Sequence, residues 1–266
     1  MMKEQIIKNL RESCPWQDSL LWFDSIDSTN TRAKELAREN AFHGTVLIAD
    51  SQTGGRGRLG RSFHSPAGSG IYMSVLLRPD CAPTELMHLT CAAAVAMCDA
   101  IEQAVGFRPC IKWTNDLVCG KRKIGGILTE LGFTNQGLVD YAIIGIGINC
   151  TQTELDFPED IRCIAASLAM VSQTCVETDV VAAAMIQALQ KMDSQLLSAK
   201  AQILAQYKKD CITLGQEIVL LRGDGKRYGI ARDIDSDGGL VVEFQSGTLE
   251  VVSSGEVSVR GMYGYV

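Results

Sequence analysis

Metal-ligand residues are few or badly spaced in this 266-residue chain. There are three histidines, His43, His64 and His88, and none of the ten cysteines (at 14, 81, 91, 98, 110, 119, 150, 163, 175 and 211) forms a C-x-x-C pair. A structural zinc site needs about four such ligands at close spacing, so none is expected. Positive charge is also short: 25 Lys and Arg against 31 Asp and Glu leave a net charge of −6. A general nucleic-acid binder normally shows a basic surplus. No uncharged run approaches the length of a membrane span, and the N-terminus carries Lys3, Glu4 and Lys8 without an apolar signal core. Low-complexity tracts and internal repeats are absent as well. Most of the cysteines sit in apolar runs, where reduced Cys behaves as a small hydrophobe. A reducing cytoplasm is the expected compartment, with no membrane partner. The length suits one sizeable domain and a small one.

Glycine and arginine, by contrast, are concentrated. Ser51-Gln52-Thr53-Gly54-Gly55-Arg56-Gly57-Arg58-Leu59-Gly60-Arg61 alternates the two. Glycine permits positive φ and brings backbone N–H groups close to a ligand, and successive N–H groups make an anion-binding concavity. Interleaved guanidiniums add charge-assisted bonds to carboxylate or phosphate. A flexible basic loop, or an Arg-Gly segment that touches RNA, stays open as an alternative on this stretch alone.

The surrounding pattern is α+β. Residues 1–18 are polar with one helical pattern at Ile6, Ile7 and Leu10. Residues 20–26 read as a strand. Asp27 or Ser28 then caps a helix whose apolar face is Ala33, Leu36 and Ala37. The β-branched stretch 45–49 leads into the glycine–arginine loop and 71–77 leaves it. The intervening segment is far longer than a hairpin turn, the length of a lid or binding loop. Residues 84–105 predict an alanine-rich helix stopped by Gly106. Strands follow at 110–113, 117–119 and 123–131, and the nearly continuous apolar run 139–148 predicts a buried central strand. Gly145 and Gly147 in that run permit close backbone approach, either for a neighbouring helix or for a flat ligand. Residues 151–163 lack periodicity and read as a second loop. Residues 179–207 predict two helices that break near Ser198. From about Gly215 the character changes. Short strands at 217–222, 227–234, 240–244, 249–252 and 256–259 are separated by Gly-rich turns, including Gly223-Asp224-Gly225, as in a small β-barrel.

Three further motifs accompany the loop: Lys112-Trp113-Thr114-Asn115-Asp116-Leu117, then Lys121-Arg122-Lys123-Ile124-Gly125-Gly126-Ile127-Leu128-Thr129-Glu130, then Ile144-Gly145-Ile146-Gly147-Ile148-Asn149. With Gly55–Arg61 and the earlier Ser28-Thr29-Asn30, this series resembles the biotin–protein ligases in order and approximate spacing, from about residue 20 to the end. Thr114 stands where that family usually has proline, and Phe63 where a tryptophan is common. The first bears on local turn geometry and the second on packing over the ligand; neither removes a charged group.

The resemblance implies a catalytic domain over 1–213 with a mixed, largely antiparallel central sheet flanked by helices, similar to class II aminoacyl-tRNA synthetases. A small SH3-like β-barrel over 214–266 would follow, with Ser254-Gly255-Glu256-Val257 resembling its closing segment. It implies ATP and biotin as substrates with Mg²⁺, biotinyl-5′-AMP as intermediate, and transfer of biotin to a lysine of a biotin carboxyl carrier protein. Some family members begin with a DNA-binding winged helix, for which residues 1–18 leave no room, so no DNA partner is expected. A weak homodimer through the sheet edge is compatible with the family.

Residue by residue, the resemblance makes Ser28, Thr29, Asn30 and Gln52 biotin contacts, since hydroxyls and amides suit a neutral ureido ring. Gly55, Arg56, Gly57 and Arg58 form the phosphate and carboxylate loop, and Arg61 supports its closure. Lys112 sits where an ammonium stabilises charge developing in both steps, while Trp113 packs. Asp116 is open to three roles: a Mg²⁺ ligand, acceptor of the attacking lysine's proton, or a plain turn. Lys123 reaches a phosphate, Gly126, Gly145 and Gly147 floor the site, and Asn149 touches the ribose or α-phosphate. The competing readings are a lipoate or octanoate ligase of related fold, with a long apolar tunnel, and a non-catalytic binder of biotin or nucleic acid.

Overall fold

A computed structural model describes residues 3–11, 14–172, 174–222, 225–253 and 258–261. The expected turn at 223–224 and closing segment at 254–257 lie outside the described residues. Seven strands make the large sheet: β1 (Leu20–Phe23), β2 (Thr45–Ala49), β3 (Gly70–Leu77), β4 (Cys110–Lys112), β5 (Asp116–Cys119), β6 (Arg122–Phe133) and β7 (Val139–Asn149). Their order is β1-β2-β3-β7-β6-β5-β4. Only β1 and β2 run parallel, and the other neighbours are antiparallel, so the sheet is mixed and largely antiparallel, as the resemblance implied. A second sheet holds β8 (Glu217–Arg222), β9 (Gly225–Ile234), β10 (Leu240–Phe244), β11 (Leu249–Val252) and β12 (Ser258–Gly261), in the order β11-β10-β9-β8-β12.

The helices are α1 (Lys3–Asn9), α2 (Thr29–Arg38), α3 (Leu89–Val105), α4 (Glu159–Arg162), α5 (Leu168–Ser172), α6 (Thr178–Gln195) and α7 (Lys200–Asp210). Strand alternation decides which helices cover which face. Ile144, Ile146 and Ile148 of β7 join a large apolar core with Met73, Val75 and residues of α3 and α6. Tyr141 and Ile143 face the other way, into a smaller cluster with Leu47, Leu76 and Ala33 and Ala37 of α2. Because β7 is buried on both faces, it reads as one apolar run rather than an alternating one.

One helix covers only part of that second face. Arg78 fixes its far end: Nη2 donates to Ala37 O at 2.6 Å and Nε to Ala41 O at 3.0 Å. At its near end Ser28 caps the helix, its Oγ accepting from Thr31 N–H at 3.5 Å. The uncovered remainder of the face is where the cleft lies.

Three expectations need correction. Strand β1 ends at Phe23, and Ile26 makes only an isolated bridge to Gln52. Residues 84–105 are not one helix: a 3₁₀ turn at Pro83–Leu86 precedes α3, and between them the buried His88 turns Nε2 to Leu196 O at 2.9 Å. The stretch 151–163 contains a 3₁₀ turn at Glu154–Asp156 and α4. The short α5 gave no periodic signal. By length and apolarity Pro83–Val105 would suit a membrane, yet it is buried here, with Ala93, Met97, Cys98 and Ile101 fully enclosed.

Candidate active site

Strand register builds the floor. Lys112 pairs with Asp116, Asp116 with Gly126, Gly126 with Gly147, and Gly147 with Tyr72. One step along, Leu128 pairs with Gly145 and Gly145 with Ser74. Directly opposed residues share a face, so a trough of glycine and serine crosses three strands and ends at a lysine and a carboxylate. The small residues are required by what lies against them. A Cβ on Gly145 would fall 1.9 Å from Asn30 Oδ1, and one on Gly147 would fall 2.4 Å from the Phe63 ring. Gly145 therefore makes room for α2, one of the two readings of its position, and both glycines also line the cleft.

The first turn of α2 forms one wall. Ser28, Thr29 and Asn30 are all buried. Gln52 Oε1 accepts from Thr29 N–H at 2.9 Å and lies 3.1 Å from Thr29 Oγ1, while Gln52 Nε2 donates to Ser65 Oγ at 3.0 Å. Ser74 Oγ is 2.6 Å from Asn30 Oδ1 and 2.8 Å from Thr29 Oγ1. Neutral donors and acceptors thus crowd this end.

The other wall is the loop between β2 and β3. Gly57 N–H donates to Arg61 O at 2.7 Å, and Arg56 bridges Ser62. Leu59 (φ 56°) and Gly60 (φ 73°) turn the tip in the left-handed region, which costs a residue such as leucine about 1 kcal/mol or more. Arg58 Nη1 donates to Asn115 Oδ1 at 2.8 Å, and Asn115 is anchored in turn by Nδ2 to Ile127 O at 2.8 Å. Burial lowers the Arg58 pKa from its ordinary value, Asp116 counters that, and Arg61 adds to it; the guanidinium stays charged. Arg56 Nη2 reaches Glu130 Oε1 at 3.3 Å. Lys34 donates to the same oxygen at 2.5 Å, and Asn30 Nδ2 to Oε2 at 2.9 Å. Burial pushes the Glu130 pKa up, but the bonds from Lys34 and Asn30 and the charges of Lys34 and Arg56 outweigh it and hold it below the usual value.

Lys112, only 6% exposed, closes the trough. Asp116 Oδ1 accepts from Lys123 Nζ at 2.6 Å, and that ammonium stands 5.9 Å from the centre of the Phe63 ring. The cleft lining contains Arg56, Arg58, Arg61, Lys112 and Lys123 against one carboxylate, Asp116. Among the described residues no cluster of three or more His, Cys, Asp or Glu is arranged to hold a metal.

Of the residues singled out from sequence, Ser28, Thr29, Asn30, Gln52, Arg56, Gly57, Arg58, Arg61, Lys112, Asp116, Lys123, Gly126, Gly145 and Gly147 line this one cleft. Two are placed elsewhere. Gly55 lies beneath the loop, where a Cβ would meet Phe63 O at 2.5 Å. Asn149 is buried with Nδ2 donating to Ala166 O at 3.0 Å, and it is not among the lining residues. Sequence reasoning passed over Asn115, Glu130 and Ser74. The first two stand inside the quoted motifs, but their partners lie far away in the chain.

A cleft lined by five cations and by neutral hydrogen-bonding groups, on a mixed sheet with a second small sheet after it, suits a protein that joins one anion to another, and the comparisons give the class as protein ligases. Residues 22–149 match the biotin/lipoate A/B protein ligase family, and residues 213–260 match the biotin protein ligase C terminal domain. The bifunctional ligase/repressor BirA of Bacillus subtilis (strain 168) is 35% identical over 236 residues, covering 88% of this chain and 72% of its own length. The biotin–[acetyl-CoA-carboxylase] ligase of Mycobacterium tuberculosis is 32% identical over 236 residues, covering 86% and 85%. Among solved structures, the biotin protein ligase from Aquifex aeolicus in complex with biotin and ATP superposes with a TM-score of 0.77 at 31% identity, covering 91% of this chain and 98% of that one. The chain belongs to the biotin–protein ligase family.

Proposed function

We propose that this protein activates biotin with ATP and transfers it to a lysine of a biotin carboxyl carrier protein. The observation that carries this reading is the make-up of the cleft lining: five cationic side chains, Arg56, Arg58, Arg61, Lys112 and Lys123, share it with the hydroxyls and amides of Ser28, Thr29, Asn30 and Gln52 and with four glycines. A carboxylate that must attack a phosphate needs charge neutralised by groups that do not compete as nucleophiles, and arginine meets both needs.

In the first step a biotin carboxylate oxygen bonds to the α-phosphorus while the bond to pyrophosphate breaks. Ser28, Thr29, Asn30 and Gln52 hold the ureido end, and Arg56 and Arg58 hold carboxylate and phosphate oxygens. Arg56 leaves Glu130 to do so. Lys123 serves the phosphates, and Arg61 keeps the loop closed by its backbone bond to Gly57. Lys112 faces the charge that builds on the oxygens in flight. In the second step the carrier amine bonds to the acyl carbon, the bond to AMP breaks, and the nitrogen gives up a proton. A free lysine has a pKa of about 10.4, so a base is needed. Asp116 takes that proton or steadies Lys123. Asn149, bonded to Ala166 O, contributes by holding the end of β7 rather than by touching the ligand.

Mg²⁺ fits this site only as a partner of ATP. One carboxylate among five cations makes no protein cage, whereas Mg²⁺ is commonly held by phosphates and one or two carboxylates, here Asp116. When bound, it would neutralise charge on the departing phosphates.

The bonds of Arg56 to Glu130 and of Arg58 to Asn115 support a cleft role for these arginines over a nucleic-acid surface. A homodimer through the large sheet would use the β1 edge, since residues 211–213 cover β4. The proposed unit boundary at 213/214 is supported by a C-terminal family match over residues 213–260. Pyrophosphate release with ATP plus biotin, lipoate or octanoate in turn tests the reading. Release with biotin alone among the three supports it; release with lipoate and not biotin would place the protein with the tunnel-forming relatives.

A further inference from the structure

Lys112 ends β4, an edge strand only three residues long. Its inner side pairs with β5. Its outer side is covered by the segment joining α7 to β8. Cys211 bridges Ile111 in parallel, and Ile212 N–H donates to Ile111 O at 3.0 Å. The residues just after Lys112 are bonded in the same way. Trp113 N–H donates to Thr213 Oγ1 at 2.9 Å, and Trp113 Nε1 donates to Gly238 O at 3.0 Å. Tyr207 Oη donates to Thr114 O at 3.0 Å. All three bonds are buried. The same segment is tied into the small sheet, with Gly215 N–H donating to Ala231 O at 2.7 Å.

We propose that Tyr207, Thr213 and the Gly238 carbonyl are positioning groups for Lys112, so that the C-terminal part of the chain acts on the chemistry through the peptide that follows this lysine. The inference rests on the catalytic role given to Lys112 above. A lysine side chain is four flexible carbons, so its ammonium is placed only as well as its strand is. A short edge strand with one paired side has little to hold it. The bond from Ile212 on its outer side and three buried bonds to the two residues that follow it remove that freedom. Misplacing a catalytic group by about 1 Å is enough to cost about 100-fold in rate. Tyr207 is enclosed, and burial raises its pKa well above the ordinary value, so its hydroxyl remains a donor throughout the working pH range.

The test uses the full chain and single-turnover formation of biotinyl-AMP. Thr213→Val keeps the shape and removes the acceptor, Thr213→Ser restores a hydroxyl, and Tyr207→Phe removes the second bond independently. Each is measured alone and combined with Lys112→Ala, with the Tm and the KM for biotin recorded. The expected result is a loss of about tenfold in kcat for Thr213→Val and Tyr207→Phe, with the biotin KM within about twofold. Thr213→Ser regains the lost rate. With Lys112 already removed, Thr213→Val costs nothing further, since groups acting through one another are not additive. Wild-type rates in both Thr213→Val and Tyr207→Phe overturn the proposal. So does an equal loss with and without Lys112, or a loss that follows the Tm and the KM. A fully active Lys112→Ala protein would instead remove Lys112 from the mechanism, which is a separate failure.

Discussion

Lys112 and Arg58 are asked to stabilise the same negative charge at different moments, and their replacement separates the two. Lys112→Ala is expected to slow adenylate formation by about 10²–10³-fold, the cost of one oxyanion donor. It should also slow transfer from supplied biotinyl-AMP, and rapid quench of the two half-reactions checks both. Arg58 sits in the loop and reaches across to Asn115. Arg58→Gly removes roughly 1.5–3 kcal/mol of charge-assisted bonding, about 10- to 150-fold in escape of the intermediate if all of it falls on release. Leaked adenylate acylates exposed lysines, so serum albumin in the assay should become biotin-labelled; unlabelled albumin with normal turnover would rule out a clamp. Glu130 gives a pH signature. Its folded pKa lies below the ordinary value, so its contribution to stability is present above the unfolded pKa of about 4.3. That contribution fades as pH falls through the lower folded value. Glu130→Gln should cost about 1.5–3 kcal/mol in urea unfolding at pH 7, and the gap should close in strong acid.

At the scale of elements, much of the molecule was legible in local pattern. Strands β2, β8, β10 and β11 fall where β-branched runs between turn residues placed them, Ser28 caps α2, and Gly106 ends α3 in the left-handed region. The break between α6 and α7 lies at residues 196–199, as expected near Ser198. What could not be read is what depends on partners distant in sequence. The interruption before α3 involves His88 and Leu196, and Glu130 gains its importance from Asn30, Lys34 and Arg56. The glycine–asparagine run ending β7 suggested contacts throughout, but Asn149 turns to Ala166. The trough itself yields a prediction. Gly145→Ala puts a methyl onto Asn30 inside a packed face, where overpacking costs about 1–3 kcal/mol. Gly147→Ala meets the Phe63 ring of the loop first, a side chain rather than the packed helix. Unfolding by urea and biotin titration calorimetry should therefore show Gly145→Ala losing both stability and biotin affinity, and Gly147→Ala losing mainly affinity. Equal stabilities would mean that Asn30 does not depend on that space.

Taken as a whole, the molecule joins two sheets through one linker that is itself part of the large sheet's edge. Ending the chain near Leu214 should leave the large sheet folded but poorly active, because the Gly238 carbonyl that holds Trp113 is removed. Circular dichroism and carrier biotinylation together check this, and full activity would reduce the small sheet to an appended binding piece. The central claim, that one cleft makes biotinyl-AMP and passes the acyl group on, is tested most directly by mass spectrometry of a single turnover. The protein is mixed with ATP, Mg²⁺ and biotin, and a carrier domain with one acceptor lysine is added afterwards. The account predicts biotinyl-5′-AMP that requires both substrates, stays with the protein, and disappears as the carrier gains one biotin and AMP is released. Biotin held in the cleft with no adenylate and no pyrophosphate would contradict it.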